Sequence, residues 1–307
     1  MMKNRISFSK GFLPCAIFSC IVIASGIFSL ATRGINLGID FKPGAIEEVS
    51  IKGAAGIEDV RAALQGIGGA SVKKIGPSSS DEYQIRAGVA ESEGGKITQA
   101  LVNKYGEGNV EVLKTDFIGS SMSSSLARQS ILLLLGTMLL IWLYATIRFH
   151  WDFALGAIVA LVHDVCVMFT FITWSQIEFS TTTLAAVLTI VGYSINATVV
   201  ILDRVRYNLP LMEVKSFKDL LDQSLSDTLA RSIITTVTTL FAVISLYVFT
   251  TGSIKDFALA MSVGLISGCY SSIFISSGFI NFTRRGWKPE FGIHHAMPKK
   301  AAGAPAL

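Results

Sequence analysis

Charge is what this chain of 307 residues has least of: Asp, Glu, Lys and Arg together make up 16% of it, where soluble domains carry about a quarter. So little charge argues against a solvated globular enzyme. Cysteine is also scarce. Cys15, Cys20, Cys166 and Cys269 all fall inside apolar runs, so the long polar segment has no disulfide framework, and no zinc spacing occurs. The sequence has no GxxxxGK[ST] loop, which removes the P-loop route to nucleotide hydrolysis. It also lacks a Ser-His-Asp signature and a metal-ligand cluster, and no cofactor is implied. A machine that does work without ATP would draw on an ion gradient.

Apolar sequence is abundant, at 51% of residues, and it comes in blocks. A bilayer core takes about 20 apolar residues per spanning helix. Six blocks qualify: Phe12–Ala31, Ser130–Ile147, Phe153–Trp174, Ser180–Leu202, Ser232–Thr250 and Phe257–Phe282. The first follows Lys3, Arg5 and Lys10, as the core of a signal peptide would, but it exceeds the ~7–15 apolar residues of such a core and is expected to be a retained helix.

Topology follows from the bias of basic residues toward the cytoplasm. With residues 1–11 in the cytoplasm, the 203–231 connection and the 283–307 tail lie there too. Outside the 32–128 segment, that side then holds 14 Lys and Arg, against Lys255 alone on the other. Both termini are therefore expected in the cytoplasm and 32–128 across the membrane. The tail is basic, then Gly-, Ala- and Pro-rich, a composition expected to stay disordered.

Segment 32–128 has balanced charge, which argues against nucleic acid as a partner. Strands are expected at Glu47–Ile51, Val72–Ile75, Tyr83–Arg86 and Asn109–Leu113. Helices are expected near Ile57–Leu64 and Lys96–Tyr105, and Gly-Pro-Ser-Ser-Ser at 76–80 marks a turn. The order β-α-β-β-α-β is the split βαβ of ferredoxin-like domains. The fold class expected is thus an α-helical membrane protein, six transmembrane helices carrying one ferredoxin-like α+β extracytoplasmic domain.

His163 and Asp164 fall at the middle of the third block. Asp164 shares a helix face with Gly156 and Ala160, a small-residue stripe that allows close helix contact and turns the carboxylate into the bundle. An intramembrane acid of this kind marks a proton or ion site by default. The alternative is a buried carboxylate that only hydrogen-bonds a Ser or Thr on a neighbouring helix. His163, about 100° around the helix, is either part of that site or a packed neutral imidazole. In the fourth block Thr189, Gly192, Asn196 and Asp203 lie near one face, with Asp203-Arg204 at its end. Arg204 either pairs at the surface or acts on Asp164 through water. Thr235, Thr236, Thr238 and Thr239 in the fifth block, and Gly264, Gly268 and Ser272 in the sixth, read as packing surfaces.

Ile35-Asn36-Leu37-Gly38-Ile39-Asp40-Phe41 after the first block, His163-Asp164 in the third, and Val191-Gly192-Tyr193-Ser194-Ile195-Asn196 with Asp203-Arg204-Val205-Arg206 in the fourth together resemble the SecD/SecF family of bacterial protein-export subunits, on its SecF side. That family belongs to the resistance-nodulation-division superfamily of proton-driven transporters. The resemblance spans nearly the whole chain. It implies an inner-membrane protein whose partners are SecD, the SecYEG channel, YajC and YidC, a translocating polypeptide and the lipid bilayer. It also implies a proton-coupled site at Asp164 and His163, with Asn196, Asp203 and Arg204. The chain departs from the family pattern twice. Lys42-Pro43-Gly44 stands where two glycines are common, and Ala197 stands where an aspartate often follows the asparagine. Two other functions fit the same features, a half-size small-molecule efflux component of the same superfamily and a passive membrane scaffold.

Overall fold

A computed structural model describes residues 7–38, 40–54, 56–68, 70–75, 81–89, 95–211 and 216–287. The turn at 76–80, Ile39 and the tail beyond Trp287 lie outside the described residues. Among the described residues, six helices are long and apolar enough to cross a bilayer: α1 (Phe12–Arg33), α4 (Ser120–Arg148), α5 (Trp151–Ser175), α6 (Thr181–Asn208), α7 (Phe217–Phe249) and α8 (Gly252–Thr283). Between α1 and α4 come β1 (Gly44–Ile51), α2 (Ile57–Ala63), β2 (Ser71–Ile75), β3 (Glu82–Ala87), α3 (Gly95–Tyr105) and β4 (Val110–Ile118).

The helix ends are set by local chemistry. α1 stops at Gly34, which takes φ 70°, a conformation open to glycine. Ser180 and Ser216 cap α6 and α7 by accepting from the backbone N–H of Thr183 and Asp219. α4 and α7 start well before their apolar blocks. In α7 the added turns are amphipathic: Phe217, Leu220, Leu221 and Leu225 are buried in a cluster with Phe8, Phe12, Phe153 and Ile201.

The sheet order is β2-β3-β1-β4, with every pairing antiparallel, as a split βαβ requires. β4 runs to Ile118 because it pairs along all of β1, with one register shift at Glu48/Val49. Alternation places Ala45, Glu47, Val49 and Ile51 of β1 on one buried face, where Val60 of α2, Leu64 just past its end, and Ile97 and Leu101 of α3 close a core of their own.

Polar links seat this domain on the bundle. Leu37 forms a parallel bridge with Phe179. Asp40 accepts from the Thr181 backbone N–H at 2.7 Å and its hydroxyl at 2.8 Å. Arg86 pairs with Glu178, and Lys73 pairs with Asp256 at 2.5 Å. Close approach explains two glycines. A Cβ on Gly44 would sit 2.5 Å from the Ala87 carbonyl oxygen, and one on Gly38 would sit 2.5 Å from Glu178 Oε1.

Candidate proton site between two apolar cores

α5, α6 and α8 form the centre of the bundle, and α1, α4 and α7 its rim. Two apolar clusters fill the interior. One, around Phe153, Leu202 and Ile273, lies at the end opposite the sheet domain. The other, around Met168, Ile190 and Leu265, lies toward it. Asp164 sits between them, wholly buried.

Close helix contact brings its partners within reach. A Cβ on Gly156 would be 2.7 Å from Ile280, one on Gly264 2.4 Å from Ile190, and one on Gly268 3.2 Å from Ser194. The small-residue faces of α5 and α8 thus let α6 and α8 converge on the carboxylate. Ser194 of α6 donates to Oδ2 at 2.5 Å and Ser271 of α8 donates to the same oxygen at 2.7 Å. Ser267 of α8 donates to Oδ1 at 2.7 Å. His163 Nδ1 lies 3.1 Å from Oδ1, and its Nε2 is 2.9 Å from Ser19 Oγ of α1. Three hydroxyl hydrogens and the imidazole contact stand in for the hydration of a carboxyl group in this dry position.

His163 and Asp164 therefore meet, and the other candidates stand apart from them. Asn196 is exposed and lies in grooves lined by Ile141, Tyr144, Arg231 and Thr235. Asp203 pairs with Arg148 at 3.0 Å and Arg206 at 3.3 Å. Arg204 holds Asp227 through Nε at 2.8 Å and Nη2 at 2.6 Å. From Ser194, the α6 residue on Asp164, Arg204 is about 15 Å further along the helix.

The serines are what the sequence alone did not single out. Gly264 and Gly268 pack closely as expected, but Ser267 and Ser271, four residues apart on α8, are the residues that reach the carboxylate. Ser194 lies inside the fourth-helix motif without standing out from it, and Ser19 gives no signal in α1. Four-residue spacing of Ser267 and Ser271 was the available clue.

Residues 97–286 match the family described as protein export membrane protein SecD/SecF, C-terminal, and residues 28–50 match the SecD/SecF GG motif. The chain is 42% identical to protein translocase subunit SecF of Treponema pallidum (strain Nichols), an alignment covering 93% of this chain and 98% of the relative. It is 36% identical to the SecF subunit of Vibrio alginolyticus, covering 90% and 89%. The crystal structure of SecDF, a translocon-associated membrane protein from Thermus thermophilus, matches with a TM-score of 0.81 at 27% identity over 93% of this chain, which spans 40% of that longer one. Matched by a family model over most of its length and by SecF subunits nearly end to end, this multi-pass membrane protein belongs to the SecD/SecF family of protein-export proteins, on its SecF branch.

Proposed function

We propose that the chain is the SecF half of a SecD–SecF pair in the bacterial inner membrane. Its residues 32–128 are periplasmic and both termini cytoplasmic. With SecD it uses the proton-motive force to assist polypeptide export through SecYEG, with YajC and YidC as further partners, and it acts as a transport subunit rather than an enzyme. The observation that carries this reading is Asp164, a wholly buried carboxylate at mid-bundle in contact with an imidazole and three hydroxyls from two other helices. Such a group can bind and release a proton, and its partners span α5, α6 and α8, so its charge state bears on how these helices pack.

A SecD partner is supported by the outer face of α6. Thr181, Ala185, Thr189, Gly192 and Asn196 are exposed on one side of that helix, a small and polar stripe suited to a protein neighbour rather than lipid. Asn196 meets the partner half in this arrangement, and Asp203 and Arg204 tie the ends of α4, α6 and α7 together.

Asp164→Asn is the deciding variant, because it is nearly isosteric and cannot titrate. Export into inverted membrane vesicles is expected to keep its ATP-driven component and lose its uncoupler-sensitive component. A second reading, Asp164 as a permanently ionised staple, is favoured by the three hydroxyls that donate to it. It gains ground if Asp164→Asn exports with full uncoupler sensitivity.

A further inference from the structure

This inference rests on Asp164 being the proton-binding group, and it follows the hydrogen bonds outward from that residue. The far end of the chain fixes the direction of every link. A carbonyl oxygen only accepts, so the Tyr270 hydroxyl, 2.7 Å from the Cys15 carbonyl, directs its one hydrogen there. Ser19 Oγ, 3.0 Å from Tyr270 Oη, must then donate to it. His163 Nε2, 2.9 Å from Ser19 Oγ, meets an oxygen with no hydrogen left to give, so Nε2 carries a proton. One proton therefore remains between Nδ1 and Asp164 Oδ1, 3.1 Å apart. The pair is either imidazolium beside carboxylate or neutral ring beside carboxylic acid. Each form is neutral as a unit, which a low-dielectric interior favours.

We propose that Ser19 and Tyr270 relay protons between the Asp164–His163 pair and the end of the bundle opposite the sheet domain. The chain points that way, because Cys15 lies one turn from the start of α1. A groove of about 460 Å³ comes in from that end, reaching from Ser9, Lys218 and Arg285 down to Ala16 and Phe274. Ala16 adjoins Cys15, and the Phe274 ring lies 5.5 Å from that of Tyr270. The groove thus ends beside the last link. α8 also changes register here, with a π-helical turn over Ser271–Ser276 directly after Tyr270, a distortion that recurs at functional positions in helices.

Release is a concerted shift along the chain. The Tyr270 hydroxyl first turns its hydrogen from the Cys15 carbonyl to a water at the inner end of the groove; the Nε2 proton then passes to Ser19 Oγ, the Ser19 hydrogen to Tyr270 Oη, and the Tyr270 hydrogen to that water. One N–H and two O–H bonds break and three O–H bonds form. The pair is left with one negative charge and the water with one positive. Rotation of the two hydroxyls restores the starting order for the next proton. The ionisable groups facing the chain are Asp164 from α5, Tyr270 from α8 and the Cys15 thiol from α1. α6 presents Ser194, and the groove mouth carries Lys218 and Arg285.

The test uses the full chain with its partner half in bilayers and ¹⁵N-labelled histidine, whose ring nitrogens report their protons separately. The His163 signals are assigned by their loss in His163→Gln. Wild type is expected to show Nε2 protonated. Tyr270→Phe keeps the ring beside His163 and Phe274 but removes the acceptor for Ser19, so the Ser19 hydrogen turns to Nε2 and the ring switches to its Nδ1–H tautomer. Gradient-driven proton uptake should fall about a hundredfold, the low end for a positioned proton-transfer group. Ser19→Ala should lower uptake equally, because it removes the middle link. A tyrosine that only packs would leave the tautomer unchanged. Asp164→Asn inactive, with Tyr270→Phe unchanged in tautomer and uptake, overturns the relay alone. Asp164→Asn with full uncoupler-sensitive export overturns the reading of Asp164, and the relay with it.

Discussion

Glu47 is a carboxylate on the wrong side of its strand. Alternation along β1 turns it inward with Ala45, Val49 and Ile51, where it is 2% exposed and accepts from the Thr98 hydroxyl at 2.8 Å. Burial raises its pKa from the usual value, and the Thr98 hydrogen bond only partly offsets this. The folded domain therefore holds the Glu47 proton more tightly than the unfolded chain does. Stability is greatest below the ordinary carboxylate range and declines as pH rises from there toward the raised folded value. In a 34–122 fragment, Glu47→Gln should keep the hydroxyl partner and remove that decline. Its melting temperature should match wild type in acid and exceed it at neutral pH by about 4 °C, equivalent to roughly 1 kcal/mol for a domain of this size. Thermal melts across pH decide it, and parallel curves for the two proteins would refute the assignment. Asp164 shows the other side of legibility. Its inward direction was readable from Gly156 and Ala160. Its serine partners were not, because serine and threonine in membrane helices commonly bond their own preceding turn, as Ser262 does to Ala258 and Thr235 to Arg231.

At the scale of elements, the sheet domain and the bundle each have a core, and charge pairs join them. Arg86 on β3 and Glu178 in the α5–α6 connection are both largely shielded from water, their side chains 14% and 16% exposed. Burial lowers the Arg86 pKa, with Asp40 and Asp256 opposing the shift. Arg86→Ala leaves Glu178 shielded and unpaired, a loss of roughly 2 kcal/mol in docking, below that of a fully buried pair. Lys73→Ala removes a more exposed partner and should cost about 0.5 kcal/mol. Limited proteolysis of the residue 34–43 connection reads the difference. Arg86→Ala is expected to speed cleavage while the 34–122 fragment carrying the same change melts as wild type does. Equal cleavage of Arg86→Ala and wild type would show that the Leu37–Phe179 and Asp40–Thr181 links hold the domain without the ion pair.

For the molecule as a whole, the charge bias around the six helices sets the proposed orientation, and Glu107 and Leu211 stand on opposite sides of it. In a background without the native cysteines, Glu107→Cys should react with an impermeant thiol reagent added outside the cell membrane, and Leu211→Cys only after permeabilisation. The reverse pattern would invert the topology and the direction of the relay.

Long apolar blocks determine six spanning helices from sequence alone, because hydrocarbon admits backbone only when its hydrogen bonds are closed within the helix. The βαββαβ order was readable in the same way, from alternation and turns. Tertiary structure alone decided which polar groups meet. Ser19, His163, Asp164, Ser194, Ser267 and Ser271 come from four helices, and sequence spacing measures distance only along one. Asn196, Asp203 and Arg204 are polar residues on a single helix, as the sequence implied. Asp203 and Arg204 are kept from Asp164 by their distance along α6, but the separation of Asn196 follows from how α6 is rotated against α5 and α8, and packing fixes that rotation: Ser194 turns inward and Asn196, two residues and about 200° further round the helix, turns outward.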